Sequence, residues 1–244
     1  MQSHGHTVLA PDLPGHGQSE NAVCPESTYS FPGYAAIISG LFDALHWDCV
    51  DVVGWSLGGH IGLELLATEP RVRSLLVVGT PPVSLGEVAL AAFLPGEDMH
   101  LAGKAEFSEA EALNYGTAMM GGREFLTPEL LTAIRRTDGS ARKYMFSNAL
   151  NGVGSDERRT VAISSKPICV VHGEGEPFVR LDYLASLSYR ALWRERIFVI
   201  PGAGHAPHWQ QPELFNEILL DFLGLAPLRQ IGGPRQITPL HSLP

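Results

Sequence analysis

Apolar residues recur at Tyr34, Ile37, Ile38, Leu41, Phe42 and Leu45, a spacing of three and four that predicts a one-faced amphipathic helix. Leu214, Phe215, Ile218, Leu219, Phe222 and Leu223 repeat the pattern near the end of the chain. Other apolar stretches are short and do not alternate. They are Thr7–Ala10, Val50–Val53, Ser74–Val78, Ile168–Val171 and Ile197–Ile200. Non-alternating runs separated by helical patterns predict strands buried on both faces, and so a mostly parallel sheet flanked by helices. The predicted class is α/β.

Between 83 and 162 the β-branched runs vanish and helix signals take over. Ser108-Glu109-Ala110-Glu111 is a capping-box candidate, and Thr127-Pro128-Glu129 places proline at a first helical position. This stretch is expected to be a helical insertion that caps the strand tips. Asn151 to Arg159 is expected to be a mobile connector. The expected division is core at 1–82, cap at 83–162, core again at 163–226, and a disordered tail at 227–244. The tail carries Pro227, Pro234, Pro239 and Pro244 without periodicity.

Chemistry centres on Gly54-Trp55-Ser56-Leu57-Gly58. An apolar run ends there, and a helical pattern through Ile61, Leu63, Leu65 and Leu66 begins at once. A G-x-S-x-G turn between strand and helix forces its serine into a strained conformation and exposes the hydroxyl at the strand tip. Its flanking glycines are expected to make room for the tight turn. The Leu57 N–H, at the helix start, faces any oxyanion formed there. The plainer alternative is a glycine-rich turn with an ordinary serine.

A serine needs a base, and the base an orienting acid. His205 lies in Pro201-Gly202-Ala203-Gly204-His205-Ala206-Pro207-His208, after the last predicted strand, on the rim where parallel sheets place their sites. His208 is the weaker candidate. Glu174, Glu176 and Asp182 follow the preceding strand, and Glu176, just before Pro177, is favoured over the other two.

Composition narrows the classes. The chain has 244 residues, 45% hydrophobic content and a net charge of −9, which argues against a nucleic-acid partner. No apolar run approaches the roughly 18 residues of a membrane span, and no signal peptide is visible. Cys24, Cys49 and Cys169, without C-x-x-C spacing, suggest reduced thiols and a cytoplasmic setting. Cys169, inside an apolar run, is expected to be inert core. The histidines do not pair with carboxylates at ligand spacing, so no metal is expected.

The run Ala10-Pro11-Asp12-Leu13-Pro14-Gly15-His16-Gly17-Gln18-Ser19, the G-x-S-x-G turn and Gly204-His205-Ala206-Pro207 resemble the α/β-hydrolase fold family. More narrowly, the chain resembles the α/β-hydrolase type of N-acylhomoserine lactonase. The segments that carry this are Gly54–Gly62, Gly79-Thr80-Pro81-Pro82-Val83, Arg136-Thr137-Asp138-Gly139, Glu176-Pro177-Phe178-Val179 and Gly204–Pro207. The resemblance implies a Ser56–His205–Glu176 triad with no cofactor. It implies Leu57 as oxyanion donor, and Trp55, Phe178 and the cap residue Tyr115 near the substrate; the competing reading of Tyr115 is a cap-core aromatic. The implied substrate is a small lactone or ester, handled by a monomer or homodimer.

The sequence departs from the family at its start. Three family strands, and the His-Gly loop that supplies a second oxyanion N–H, have no counterpart before Thr7. One strand should lie between the Thr7 run and the Val50 run, so a gap is expected there. Either the sequence is part of a longer enzyme, or the fold closes over the gap with impaired activity.

Overall fold

A computed structural model describes residues 6–84, 89–96, 101–226 and 235–237. The first elements are two helices, α1 (Pro25–Thr28) and α2 (Phe31–Ala44). The Ser30 hydroxyl caps α2 by accepting from Gly33 N–H, with proline in the first turn. Then β1 (Val50–Trp55), α3 (Leu57–Thr68) and β2 (Val72–Val78) alternate. After the intervening helices come β3 (Ile168–Gly173) and β4 (Leu192–Ile200). The sheet order is β1-β2-β3-β4-β5, parallel throughout except for β5 (Arg235–Ile237), which pairs antiparallel with β4.

Both faces of the sheet are covered over β2 to β4, as their apolar runs require, while Val53 on β1 is 45% exposed. Leu75, Val77, Ile168, Val170 and Ile197 belong to one core cluster with Leu63, Leu65 and Leu66 of α3 and Tyr34 and Phe42 of α2. The alternate residues Leu76, Val78, Cys169, Val171, Phe198 and Ile200 pack with Phe215, Ile218 and Leu219. Those last three lie on α11 (Pro212–Phe222), the predicted closing helix. Cys169 is fully buried, and burial pushes its thiol well above the ordinary value, so it is an inert core residue.

Between β2 and β3 the chain forms α4 (Ala89–Ala92), α5 (Glu109–Met120), α6 (Pro128–Arg136), α7 (Gly139–Leu150) and α8 (Glu157–Ile163). The predicted caps hold: Ser108 and Glu111 make a reciprocal capping box, and Thr127 accepts from Leu130 N–H. The remaining helices, α9 (Leu181–Ser186) and α10 (Pro207–Gln210), flank β4.

Four expectations need correction. Thr7–Ala10 is not a strand, and Val8 and Leu9 are 41% and 44% exposed. The physical reason is a missing neighbour. Among the described residues β1 pairs only with β2, and a groove of about 750 Å³ runs between Thr7–Pro11 and the free edge of β1. Asn151 to Arg159 is an anchored segment, with Glu157 only 2% exposed and Asp156 capping α8. β4 begins five residues before the predicted run, at Leu192. Arg194 and Glu195 adopt positive φ and bulge out of the ladder, which broke the apolar pattern. The tail contributes β5; its other residues, 227–234 and 238–244, lie outside the described ones.

Candidate active site

Ser56 joins β1 to α3 with φ 51° and ψ −117°, the strained turn that the sequence pattern predicts. Such a conformation costs about 1–3 kcal/mol and persists only where its surroundings fix it. Here Ser56 N–H donates to Val78 O at 2.9 Å, and Ser56 O accepts from Gly59 N–H at 2.9 Å. The Thr80 hydroxyl lies 2.9 Å from Ser56 O and 3.0 Å from Val78 O. A Cβ at Gly54 would collide with the Gly58 carbonyl, and one at Gly59 with the Thr80 side chain. Among the described residues nothing lies within 4 Å of a Cβ at Gly58, so the turn needs Gly54 and Gly59, not the second glycine of the five-residue motif. Leu57 is the first residue of α3, so its N–H has no acceptor within the helix.

β3 ends at Gly173, and the following turn brings Glu176 under the His205 ring. His205 Nδ1 lies 2.8 Å from Glu176 Oε2 and 3.0 Å from Oε1, in a buried contact. Glu176 Oε1 also accepts from Phe178 N–H at 2.9 Å. Burial works to raise the Glu176 pKa, but the His205 hydrogen bond and charge, with the Phe178 N–H, outweigh it and hold the carboxyl below its ordinary value. Glu174 is exposed and accepts from Gly202 N–H, while Asp182 is on α9, paired with Arg180. Of the three candidate acids, the structure brings Glu176 to the histidine.

The imidazole is fixed from several sides. The Trp55 indole N–H donates to His205 O at 2.7 Å, tying the histidine loop to the residue before Ser56. Phe178 meets the ring edge-on at 5.0 Å, and Trp55 lies tilted at 5.5 Å. Gly79, at φ +56°, passes so close that a Cβ would sit 2.8 Å from the ring. His205 Nε2 is buried without a hydrogen-bond partner among the described residues, and Ser56 and His205 are not hydrogen-bonded to each other. The Trp55 hydrogen bond and the Thr80 contact had no signal in the sequence, since both depend on segments that meet only in the fold.

Two further histidines are nearby. His208 on α10 packs against Trp55 and Phe215, and burial with the His205 charge lowers its pKa to about 4. His172, at the end of β3, is likewise lowered by burial. Both stay neutral near pH 7. Tyr115 on α5 packs against Phe107, with ring centroids 5.3 Å apart. Among the described residues no hydrogen bond or ring contact links Tyr115 to Ser56, Glu176 or His205. Burial raises its phenol pKa, with Arg142 opposing.

A cavity of about 640 Å³ opens beside this cluster, between the end of α5 and the loops after β3 and β4. Its walls include Thr117, Ala118, Gly121, Pro177, Phe178 and Gly204. Among the described residues no group of three or more His, Cys, Asp or Glu is placed to hold a metal ion. No helix among them is long and apolar enough to cross a membrane.

Comparison with known proteins identifies the family. The Alpha/beta hydrolase family model matches residues 2–218. A solved structure of N-acyl homoserine lactonase AidH complexed with N-butanoyl homoserine is 42% identical, with TM-score 0.84, covering 87% of this chain and 76% of that one. A 2-hydroxy-6-oxononadienedioate/2-hydroxy-6-oxononatrienedioate hydrolase from Cupriavidus pinatubonensis is 26% identical over 230 residues, 90% of this chain and 77% of the relative. A pimeloyl-[acyl-carrier protein] methyl ester esterase from Xanthomonas campestris pv. campestris is 28% identical over 233 residues, covering 88% and 84%. The chain is a hydrolase and belongs to the alpha/beta hydrolase family.

Proposed function

We propose that the protein is a serine hydrolase that opens a lactone or cleaves a carboxylic ester, with N-acylhomoserine lactones as the preferred substrates. The observation that carries this is the buried His205, held at Nδ1 by Glu176 and unpartnered at Nε2, on a loop tied to the residue before a strained serine. The likeness to the lactonase structure favours the lactone.

In this reading Ser56 Oγ attacks the carbonyl carbon as its proton passes to His205 Nε2. Glu176 keeps the imidazole oriented and stabilises its charged form. The Leu57 N–H donates to the oxyanion. The intermediate collapses with cleavage of the ring C–O bond, and the leaving alkoxide takes the proton from His205. Water, deprotonated by His205, then attacks the acyl-enzyme; Ser56 recovers its proton and an N-acylhomoserine leaves. Trp55, Tyr115 and Phe178 would contact the substrate, and the insertion at 83–162 would act as a cap over the acyl chain. The enzyme needs no cofactor and works as a monomer or homodimer. Three unpaired cysteines suit a cytoplasmic location.

Ser56→Ala should lower kcat on an acylhomoserine lactone by about 10⁴-fold or more, and full turnover by that variant would end the proposal. Equal kcat/KM on simple p-nitrophenyl esters and on lactones would favour a general carboxylesterase. A second reading, a ligand-binding protein without turnover, draws on the edge of β1, which among the described residues pairs only with β2. Losing one oxyanion donor costs roughly 10²–10³ in rate. Calorimetric binding of the lactone with no ring opening would favour that reading.

A further inference from the structure

A second histidine–glutamate pair, largely buried, joins the helix that follows Ser56 to the start of α8. His60 Nδ1 donates to Glu157, 2.8 Å from Oε1 and 3.0 Å from Oε2, with side-chain exposures of 12% and 3%. Glu157 Oε2 also accepts from Val83 N–H at 2.9 Å, and Glu157 N–H donates back to Val83 O at 3.1 Å. Val83 is where the chain leaves the sheet for the helical insertion, and Glu157 is where it returns. One turn further along α3, Glu64 accepts from Ser155 N–H at 2.7 Å and from the Ser155 hydroxyl at 3.0 Å. His60 and Glu64 are four residues apart, so they share one face of α3. The Phe31 ring stacks flat on His60, centroids 4.8 Å apart, and restricts its rotation.

We propose that His60 with Glu157, backed by Glu64, clamps both ends of the insertion to the helix that follows Ser56, and that His60 is thereby a positioning residue for the insertion relative to Ser56. Four facts converge on this. The two ends pair with each other through Glu157. The carboxylate is almost fully buried, so it holds its place only with its donors present. Its side-chain donor, His60, comes from the helix that follows Ser56. The return segment, 151–159, has a second anchor on the same helix face. Tyr144 and Met145, on the helix just before that segment, are half-buried side chains packed against the main core cluster. Loosening the return leg shifts these side chains relative to Ser56 while leaving Glu176 and His205, on separate loops, in register.

The inference that His60 positions the insertion for substrate rests on the hydrolase reading; the clamp itself does not. The test compares wild type, His60→Leu and His60→Asn, the last retaining a donor near the Nδ1 position. Hydrogen exchange should accelerate about tenfold across residues 139–163 in His60→Leu, with β2 and β3 unchanged. KM for p-nitrophenyl octanoate should rise about fivefold or more, with kcat on p-nitrophenyl acetate within about twofold, and His60→Asn should recover most of the KM. Unchanged exchange, an equal loss of kcat on both esters, or no recovery in His60→Asn would overturn the proposal. If His60→Leu does not fold, Ser155→Ala takes its place, with the same directions expected and the same results counting against it. If wild type hydrolyses neither ester, the hydrolase reading falls by itself, and the exchange comparison alone upholds or overturns the clamp.

Discussion

The two histidine–glutamate pairs share a chemistry and a closest distance of 2.8 Å, yet their surroundings divide them. Glu176 takes its extra hydrogen bond from Phe178, two residues away, and so serves its own loop. Glu157 takes its extra hydrogen bond from Val83, 74 residues away, and so joins distant parts of the chain. The His205 ring has aromatic neighbours on its edges and a bare, buried Nε2. The His60 ring is covered across its face by Phe31. Such a pair is read from what its remaining valences meet: no hydrogen-bond partner at His205 Nε2 among the described residues in one case, chain ends in the other.

Substitutions should separate the two. The largest effect is expected from Glu176→Gln, which keeps size but removes the charge that stabilises a protonated His205. It should lower kcat by about 10²–10⁴-fold with a much smaller change in KM, measured under steady-state conditions. Glu157→Leu strips the acceptor from His60 and Val83, and should cost about 3 kcal/mol in urea unfolding, more than Glu176→Gln costs by the same measurement. The reverse ranking would merge the two pairs into one class.

A smaller effect concerns His208. Its folded pKa, lowered from 6.5 to about 4, means that the unfolded chain binds a proton the folded chain refuses. The associated stability is fully present above pH 6.5 and is lost as pH falls through about 4, by roughly 2–3 kcal/mol. His208→Phe should therefore narrow the stability difference between pH 7 and pH 4.5 by about 2 kcal/mol, read from urea midpoints. The Glu176 carboxyl, held below 4.5 when folded, adds a separate loss that begins only as pH falls below that value.

Much of the frame was legible in the sequence because burial on both sheet faces leaves unbroken apolar runs, and because a strand–serine–helix turn tolerates few residues. The meeting of Glu176 with His205 was legible from their place after successive strands. The rest depended on meetings that no local pattern records. Gly58 fits the motif while Gly59 meets the steric demand, which follows from the position of Thr80. Arg194 and Glu195 hid the first half of β4 inside a charged bulge. Residues 151–159 are polar and glycine-containing, the composition of a loose connector, yet Glu64 and His60 give them buried partners. Thr7–Ala10 reads as a strand and is not one, because a strand exists only against a neighbour.

The central claim is that Ser56 is an activated nucleophile. Intact-mass and peptide analysis after treatment with a fluorophosphonate at neutral pH tests it directly. The expected result is one adduct per chain, located on Ser56 and lost in His205→Ala. An unlabelled Ser56 in folded protein, or labelling that persists without His205, would contradict the account.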